Sequence, residues 1–172
     1  MEELIVVDNK DNHIGTAEKM DVHRRGLLHR AFSIFVWRHA DDPEILLQQR
    51  ALEKYHSPGL WTNTYCGHPL VHESTQSAAE RRLFEEMGFT QPLQEIVVFH
   101  YRALLENDLI ENEIDHVFVG EYQSQPINPS SAEVAGYQWV KVSDLAKDIQ
   151  TNPTKHTAWL EKAFQVFQER NR

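Results

Sequence analysis

The sequence predicts a mixed α/β (α+β) domain in which helices cover a β-sheet. Seven short stretches have the alternation and the β-branched content that are typical of strands. Two regions carry apolar residues at helical spacing, one after residue 74 and the other near the C-terminus. A length of 172 residues is enough for one domain with a substantial core but hardly for two, so we expect a single domain over residues 1–172.

The predicted strands are separated by segments rich in turn-forming residues. The segment DNKDNHIG follows the first strand, HADDP separates the second from the third, and SQPINPSS precedes the last. We expect these segments to be loops within the domain rather than linkers. The seven predicted strands are Leu4–Asp8, Ala31–Arg38, Glu44–Gln49, Thr62–Cys66, Leu93–Arg102, Ile114–Tyr122 and Tyr137–Val140.

The clearest helical signal lies between residues 74 and 88. Ser74 is a suitable N-cap, and Gly88 is placed to end the helix. Between them an apolar residue recurs every four positions, at Ala79, Leu83 and Met87, which predicts a helix with one packed face. Two further helical stretches are predicted at Asp144–Ile149 and Thr157–Arg172.

Composition and charge exclude several classes of protein. The chain has 17 Lys+Arg against 26 Asp+Glu and a net charge of −9, which argues against nucleic acid as a partner. It contains no run of about eighteen apolar residues that would cross a membrane, so we expect no membrane partner. The single cysteine, Cys66, excludes an internal disulfide, and the N-terminus does not resemble a signal peptide, so we expect a cytoplasmic location.

The histidine content points to a metal in spite of the acidic charge. The chain has ten histidines, and imidazole is the commonest metal ligand in proteins. A bound cation inverts the local sign of an acidic site. The net charge therefore does not exclude a phosphate-containing ligand that binds through a metal.

The segment from Trp61 to Pro69, WTNTYCGHP, is the densest cluster of reactive side chains. Its only thiol, Cys66, lies beside a glycine and two residues before His68. Cysteine and histidine at such a turn can serve redox, nucleophilic or metal chemistry. The alternative is that Cys66 is a buried residue that acts as a small hydrophobe.

A second candidate cluster lies at the end of the helix predicted after Ser74. Glu85 and Glu86 fall in its last turn and can present oxygens to a hard cation that also binds phosphate. The alternative is that the charges form ordinary i,i+4 pairs, Arg81 with Glu85 and Arg82 with Glu86, on a solvated helix face.

A third cluster is Glu111-Asn112-Glu113, just before an apolar strand. In an extended segment, residues two apart share a side, so Glu111 and Glu113 can converge on one cation while Asn112 faces away. An isolated pair of this kind is more often an exposed strand edge. Three histidines could complete a site for a divalent transition metal: His23, His29 and His68. Five others are expected to be polar surface residues: His13, His39, His56, His72 and His100.

Two combined patterns resemble a known family. The string from Gly67 to Phe89 is similar to the Nudix box, G-x5-E-x7-R-E-U-x-E-E-x-G-U, except that Arg82 stands where the box has Glu. The motif TNxxCGHP at Thr62–Pro69, together with HRAFS at His29–Ser33 and the ENE segment, resembles type 1 isopentenyl-diphosphate delta-isomerase. The resemblance extends from about Glu18 to Trp159. It implies a Nudix-like mixed β-sheet sandwiched between helices, and interconversion of isopentenyl and dimethylallyl diphosphate.

The same resemblance implies roles for individual residues. Cys66 and Glu113 would be catalytic, with Tyr101 assisting proton transfer at Glu113. The residues implied to hold a first metal, Mn²⁺ or Zn²⁺, are His23, His29, His68, Glu111 and Glu113. Those implied to hold a second, Mg²⁺, with the diphosphate are Glu86 and, through its carbonyl, Cys66. The residues implied to contact the substrate are Lys19, Arg50, Lys54, Arg82 and, over the carbon skeleton, Trp159, with Trp61 as the alternative tryptophan.

The implied reaction moves a double bond, and this requires an acid and a base on opposite faces of the substrate. Glu113 is the expected donor and Cys66 the expected acceptor. Two other functions are open at this stage. One is a Nudix pyrophosphohydrolase of a nucleoside or other diphosphate, which the arginine at position 82 disfavours, and the other is a metal-binding module without activity. The expected partner is a small isoprenoid diphosphate, and both a monomer and a homodimer are compatible with the sequence.

Overall fold

The computed structural model describes residues 1–170 and places their nine strands in one mixed sheet. Strand β3 is its centre, because β1, β4, β6 and β8 all pair with it. The strands are β1 (Glu3–Val7), β2 (His13–Glu18), β3 (His29–Arg38), β4 (Glu44–Arg50), β5 (Trp61–Thr62), β6 (Tyr65–Gly67), β7 (Gln94–Leu104), β8 (Ile110–Glu121) and β9 (Val134–Lys141). The helices are α1 (Lys19–Arg25), α2 (Thr75–Met87), α3 (Val142–Thr151) and α4 (Leu160–Arg170).

The β3–β8 pair is parallel, whereas the other strand pairs are antiparallel. Its register runs from His29 opposite Glu113 to Trp37 opposite Glu121. Residues 31–36 of β3 are all buried, as expected for a strand that is covered on both faces.

Consecutive residues of β3 enter two different cores. Phe32 and Ile34 pack on the face that α2 covers, whereas Phe35 packs on the face that α3 and α4 cover. Leu83 and Met87 supply the α2 side of the first core. The sheet therefore lies between helices, as the sequence predicts.

Helix α2 begins and ends where the sequence predicts. The Ser74 hydroxyl accepts a hydrogen bond from the Ser77 amide, and Gly88 ends the helix in the left-handed conformation with φ of 76°. A Cβ atom at Gly88 would lie 2.2 Å from the carbonyl oxygen of Asn128. Both the backbone angle and this close approach therefore require glycine at position 88.

Two elements near the N-terminus are absent from the prediction. Strand β2 forms a hairpin with β1 where a loop is expected, and α1 follows it directly. Strand β2 is largely exposed, and α1 buries only Val22 and His23, so neither has an apolar period that a sequence pattern would detect. The side chain of Glu18 starts α1 by accepting hydrogen bonds from the amides of Met20 and Asp21.

Several predicted boundaries also differ. The predicted strand Thr62–Cys66 is two short strands, β5 and β6, and β8 begins four residues earlier than predicted, so that Glu111 and Glu113 lie within it. The C-terminal helix begins at Leu160 instead of Thr157, and residues 171–172 of the prediction lie outside the described residues. No helix within residues 1–170 is long and apolar enough to span a membrane.

The two faces of α2 give a matched stability test. Replacing Leu83, which is fully buried, with alanine should destabilise the fold by about 2–5 kcal/mol, because the change leaves a cavity in the first core. Phe84→Ala is the control, because Phe84 is 57% exposed, and its cost should stay below about 1 kcal/mol. Urea unfolding measures both values, and equal losses would contradict the packing described.

Candidate active site and metal centre

A cavity of about 140 Å³ opens beside β6 and the start of β8. Nine residues predicted for the site line it: Lys19, Arg50, Lys54, Cys66, His68, Arg82, Glu111, Glu113 and Trp159. The other four predicted residues are buried: His23, His29, Glu86 and Tyr101. Trp61, the alternative tryptophan, packs against the core under α3 and α4 instead.

Two buried histidines have ring orientations that suit a metal. His23 Nδ1 lies 2.7 Å from the carbonyl oxygen of Lys19, and His29 Nδ1 lies 2.9 Å from that of Leu27. A carbonyl oxygen only accepts, so each Nδ1 carries a proton, and in the neutral ring that a metal requires each Nε2 presents its lone pair. Neither Nε2 has a hydrogen-bond partner among the described residues. An unpartnered buried acceptor of this kind fits a metal ligand.

The remaining donor atoms converge on these two rings. Glu111 Oε1 lies 3.3 Å from His23 Nε2, and Glu113 Oε1 lies 3.5 Å from His29 Nε2 and 3.3 Å from His68 Nε2. Three overlapping sets have their donor atoms within 4.8 Å of one another: His23 with His29 and His68, His29 with Glu111 and Glu113, and His23 with His56 and Glu111. The five residues predicted as ligands of the first metal are therefore brought together.

The backbone of β8 explains why both carboxylates point the same way. Glu111 and Glu113 lie two residues apart in a strand, so they share a face, and His29 of β3 is directly opposite Glu113. Asn112 faces the other way, where its side-chain amide donates to the carbonyl oxygen of Gly26 at 2.9 Å and its oxygen accepts from His100. The sequence expectation for Asn112 is confirmed.

Electrostatics separate the protonation states of the two proposed catalytic groups. Burial raises the pKa of the Cys66 thiol to about 12. Burial alone would also raise the pKa of Glu113, but in the metal-free site a protonated His29, which donates to this carboxylate, outweighs burial and lowers the pKa. At neutral pH the protein's own residues thus favour a protonated thiol and an ionised carboxylate.

Tyr101 lies across the β7–β8 ladder from Glu113. Its hydroxyl is buried and has no hydrogen-bond partner within residues 1–170, and burial raises the pKa of the phenol. The hydroxyl is therefore protonated and available to donate at neutral pH.

Three of the four lysine and arginine residues that line the cavity contact a carboxylate. Lys19 Nζ lies 3.0 Å from Glu2, Lys54 pairs with Glu133, and Arg82 Nη2 lies 2.5 Å from Glu86. Arg82 also donates to the Tyr65 hydroxyl at 2.8 Å. Arg50 differs, because its guanidinium lies over the Trp159 ring at 5.4 Å and its Nε has no hydrogen-bond partner within the described part of the chain.

Comparison with known proteins gives a family. The NUDIX domain pattern matches residues 27–163. Isopentenyl-diphosphate Delta-isomerase 2 of Photorhabdus laumondii is 50% identical over 159 residues, which cover 92% of this chain and 88% of that protein. Isopentenyl-diphosphate Delta-isomerase of Serratia proteamaculans is 49% identical over 158 residues, which cover 92% of this chain and 87% of that protein.

The chain belongs to the isopentenyl-diphosphate Delta-isomerase family of NUDIX proteins. Solved structures of lower identity confirm the fold. A crystal structure from Deinococcus radiodurans has a TM-score of 0.77 at 14% identity and covers 99% of this chain and 100% of that one. The MutT protein from Methanosarcina mazei has a TM-score of 0.66 at 19% identity and covers 84% of this chain and 96% of that one.

Arg82 is the position at which this isomerase-family chain departs from the Nudix box. Its guanidinium forms ion pairs with acidic residues of the same box. It contacts both Glu85 and Glu86, while Arg81 holds Glu73 with two hydrogen bonds of 2.7 and 2.8 Å. Glu86 is 3% exposed, and burial raises the pKa of its carboxyl group although Arg82 opposes the shift. The pairs expected on a solvated face therefore form, but Glu86 is buried beside the cavity.

The sequence prediction for His56 is wrong. This residue is expected at the surface, but it is 6% exposed, and its Nε2 lies 3.8 Å from Glu111 Oε1. Burial lowers the pKa of this imidazole to about 3. Its place two residues after Lys54, a predicted phosphate ligand in the loop that follows β4, is the signal that could have identified it. The other four histidines assigned to the surface are exposed, as expected: His13, His39, His72 and His100.

Glu2 and Glu133 also line the cavity and are absent from the prediction. Each pairs with a lysine that is distant in sequence, Glu133 with Lys54 across 79 positions and Glu2 with Lys19 across 17. A local motif does not detect such pairs.

The raised pKa of Cys66 predicts an unusual alkylation profile. Because the thiolate is the nucleophile, the rate with iodoacetamide should keep rising about tenfold per pH unit from about pH 7 to 10 in the folded protein. The unfolded protein is the control, because the alkylation rate of its only thiol should level off above the ordinary cysteine pKa of about 8.5. If the alkylation rate of the folded protein reached a plateau near pH 9, the raised pKa of Cys66 would be contradicted.

Proposed function

We propose that the protein interconverts isopentenyl diphosphate and dimethylallyl diphosphate. The observation that carries this proposal is that Cys66 and Glu113 line one cavity, with phosphate-binding cations and metal-ligand donors around them. Relatives that are about half identical over most of their length carry the name of this isomerase. The substrate would therefore be a small isoprenoid diphosphate.

The reaction needs one proton added to one carbon and another removed from a second carbon. An allylic C–H flanked by alkyl groups is too weak an acid for a side-chain base to deprotonate first, so protonation leads and positive charge develops on a tertiary carbon. The cavity must then hold an acid and a base in position and keep water from capturing that charge.

Cys66 and Glu113 supply this acid and base. The raised pKa of Cys66 and the lowered pKa of Glu113 favour a protonated thiol and an ionised carboxylate. In the reaction direction that starts from these two forms, the thiol would donate a proton and the carboxylate would accept one. This exchanges the roles expected from the sequence, and the reverse reaction exchanges them again. Tyr101 lies opposite Glu113, and its hydroxyl has no hydrogen-bond partner within residues 1–170, so it would assist the transfer at that carboxylate.

We propose two metal positions. Mixed imidazole and carboxylate ligands suit Mn²⁺ or Zn²⁺, and the residues that would hold this ion are His23, His29, His68, Glu111 and Glu113. Carboxylate and carbonyl oxygens suit Mg²⁺, which Glu86 would hold with the Cys66 carbonyl; the buried Glu86 Oε2 has no hydrogen-bond partner in the described chain. When bound, these cations neutralise the diphosphate and the carboxylates around it.

The rest of the cavity wall binds and shields the substrate. Lys19, Arg50, Lys54 and Arg82 would contact the diphosphate. The Trp159 indole, only 6% exposed, already lies against the Arg50 cation, and an aromatic face stabilises a desolvated cation by about 2 kcal/mol. Since Cys66 must stay reduced, a cytoplasmic location suits this chemistry.

Arg82 favours the isomerase over a pyrophosphohydrolase. It places a guanidinium against Glu86 where the Nudix box has a further carboxylate, so the helix offers one metal-binding carboxylate fewer. NMR of the protein with isopentenyl diphosphate and divalent metal tests the choice. Dimethylallyl diphosphate is the expected product, whereas phosphate released from a nucleotide would favour the hydrolase, and no turnover with either would favour a metal-binding module.

Removing either proton-transfer group should abolish turnover. We expect Cys66→Ala and Glu113→Gln each to lower kcat by at least about 100-fold, the usual size of a general acid or base contribution, while the fold survives. Glu161→Gln, at an exposed position of α4, is the control and should keep full activity. Near-normal turnover in either site variant, with circular dichroism confirming the fold, would refute the role of that residue.

Removing a phosphate-binding cation should weaken substrate binding more than it slows the chemistry. Lys54 lines the cavity and is one of the proposed diphosphate ligands, so we expect Lys54→Ala to raise KM at least tenfold while kcat changes less. Lys162→Ala, on the exposed face of α4, should leave both constants unchanged. An unchanged KM with a large loss of kcat would place Lys54 in the chemical step instead.

A further inference from the structure

His56 lies at the edge of the metal centre, and the proposed mechanism assigns it no role. Its Nε2 is 3.8 Å from Glu111 Oε1, and this oxygen is also 3.3 Å from His23 Nε2. The other oxygen of Glu111, Oε2, lies 3.9 Å from His29 Nε2. Glu111 thus presents one oxygen toward His29 and the other toward both His23 and His56.

The ring of His56 is held in place by packing. The Tyr55 ring meets it edge-on with centroids 4.5 Å apart, and the Trp159 ring does so at 5.8 Å. Arg50 Nη2 donates to the His56 carbonyl at 3.1 Å, and the next amide, that of Ser57, donates to Glu106. These contacts anchor the backbone at His56 and keep its ring on the side where Nε2 faces Glu111.

His56 differs from the two ligand histidines in what its Nδ1 contacts. The Nδ1 atoms of His23 and His29 face carbonyl oxygens, which in the neutral ring leave the lone pair on Nε2. His56 Nδ1 faces the Ser57 hydroxyl at 3.4 Å, and a hydroxyl can donate. The proton of His56 is therefore free to lie on Nε2, where it points to Glu111.

We propose that His56 is a positioning residue of the metal centre, whose Nε2–H holds Glu111 in the orientation that binds metal. The separation of 3.8 Å exceeds a hydrogen bond by less than about 1 Å, so a small rotation of either side chain closes it. Hydrogen bonds to ligating carboxylates typically change metal affinity by about 10–100-fold. The proposal deepens the metal site of the proposed function but does not depend on which reaction that site catalyses.

The test measures Zn²⁺ affinity of the metal-depleted protein by competition with a chelating indicator, without substrate. We expect His56→Ala to weaken binding about 10–100-fold. His56→Gln, whose amide can donate to Glu111, should restore binding to within about threefold of the unmodified protein. His72→Ala, at an exposed position, is the control and should bind Zn²⁺ normally. Thermal unfolding of each metal-free variant checks that the fold is intact.

A double variant separates positioning from direct ligation. If His56 acts only through Glu111, adding His56→Ala to Glu111→Ala should cost no further affinity. A further loss of tenfold or more, together with a changed Co²⁺ absorption spectrum in His56→Gln, would make His56 a ligand and overturn the proposal. Unchanged Zn²⁺ affinity in the single variant His56→Ala would overturn it as well. Because substrate is absent throughout, these results are independent of whether the isomerase assay succeeds.

Discussion

The parallel pairing of β3 with β8 is the constraint on which the site depends. Its register places His29 beside Glu113, and the alternation of β8 then brings Glu111 to the same face. A slip of one residue would turn both carboxylates to the opposite face. On the other side of β3, β6 pairs in a register that puts Cys66 opposite Ser33. One central strand therefore sets the distance between the metal centre and the thiol, and the two cores that cover its faces keep that strand in place.

Charge pairing around the cavity reconciles an acidic chain with a phosphate ligand. The net charge is −9, yet Lys19, Lys54 and Arg82 are gathered at one cavity, each against a carboxylate. These pairs keep the cations from repelling one another before a substrate arrives. A diphosphate can compete with Glu2 and Glu133 for the lysines, because both carboxylates are partly exposed and can turn to water. Net charge thus argues against extended polyanions but says little about one small anion at a prepared site.

What the sequence could predict was limited to patterns within single elements. The apolar stripe and caps of α2, the apolar run of β3 and the alternating carboxylates of Glu111 and Glu113 all have local signatures, and each element appears in the structure. Strand β2 and helix α1 bury too little to show a period, so their prediction failed. His56 and Glu133 reach the cavity through tertiary contacts alone, and His56 therefore appeared to be an ordinary polar loop residue. The family motifs identified additional site residues, but only those that belong to the motifs.

The partial burial of Cys66 serves two requirements of the proposed chemistry at once. Loss of contact with water, together with nearby carboxylates such as Glu113, raises the pKa of the thiol to about 12 and keeps it protonated, so a proton is available where the double bond would lie. The same burial also limits the access of water, which would otherwise capture the developing cation. A more exposed thiol would ionise more readily, and water would reach the reacting carbon, so neither requirement would be met. Glu113 meets the opposite demand, because His29 holds it ionised in spite of its burial. Acid and base are thus distinguished by their neighbours, although both side chains line the same cavity.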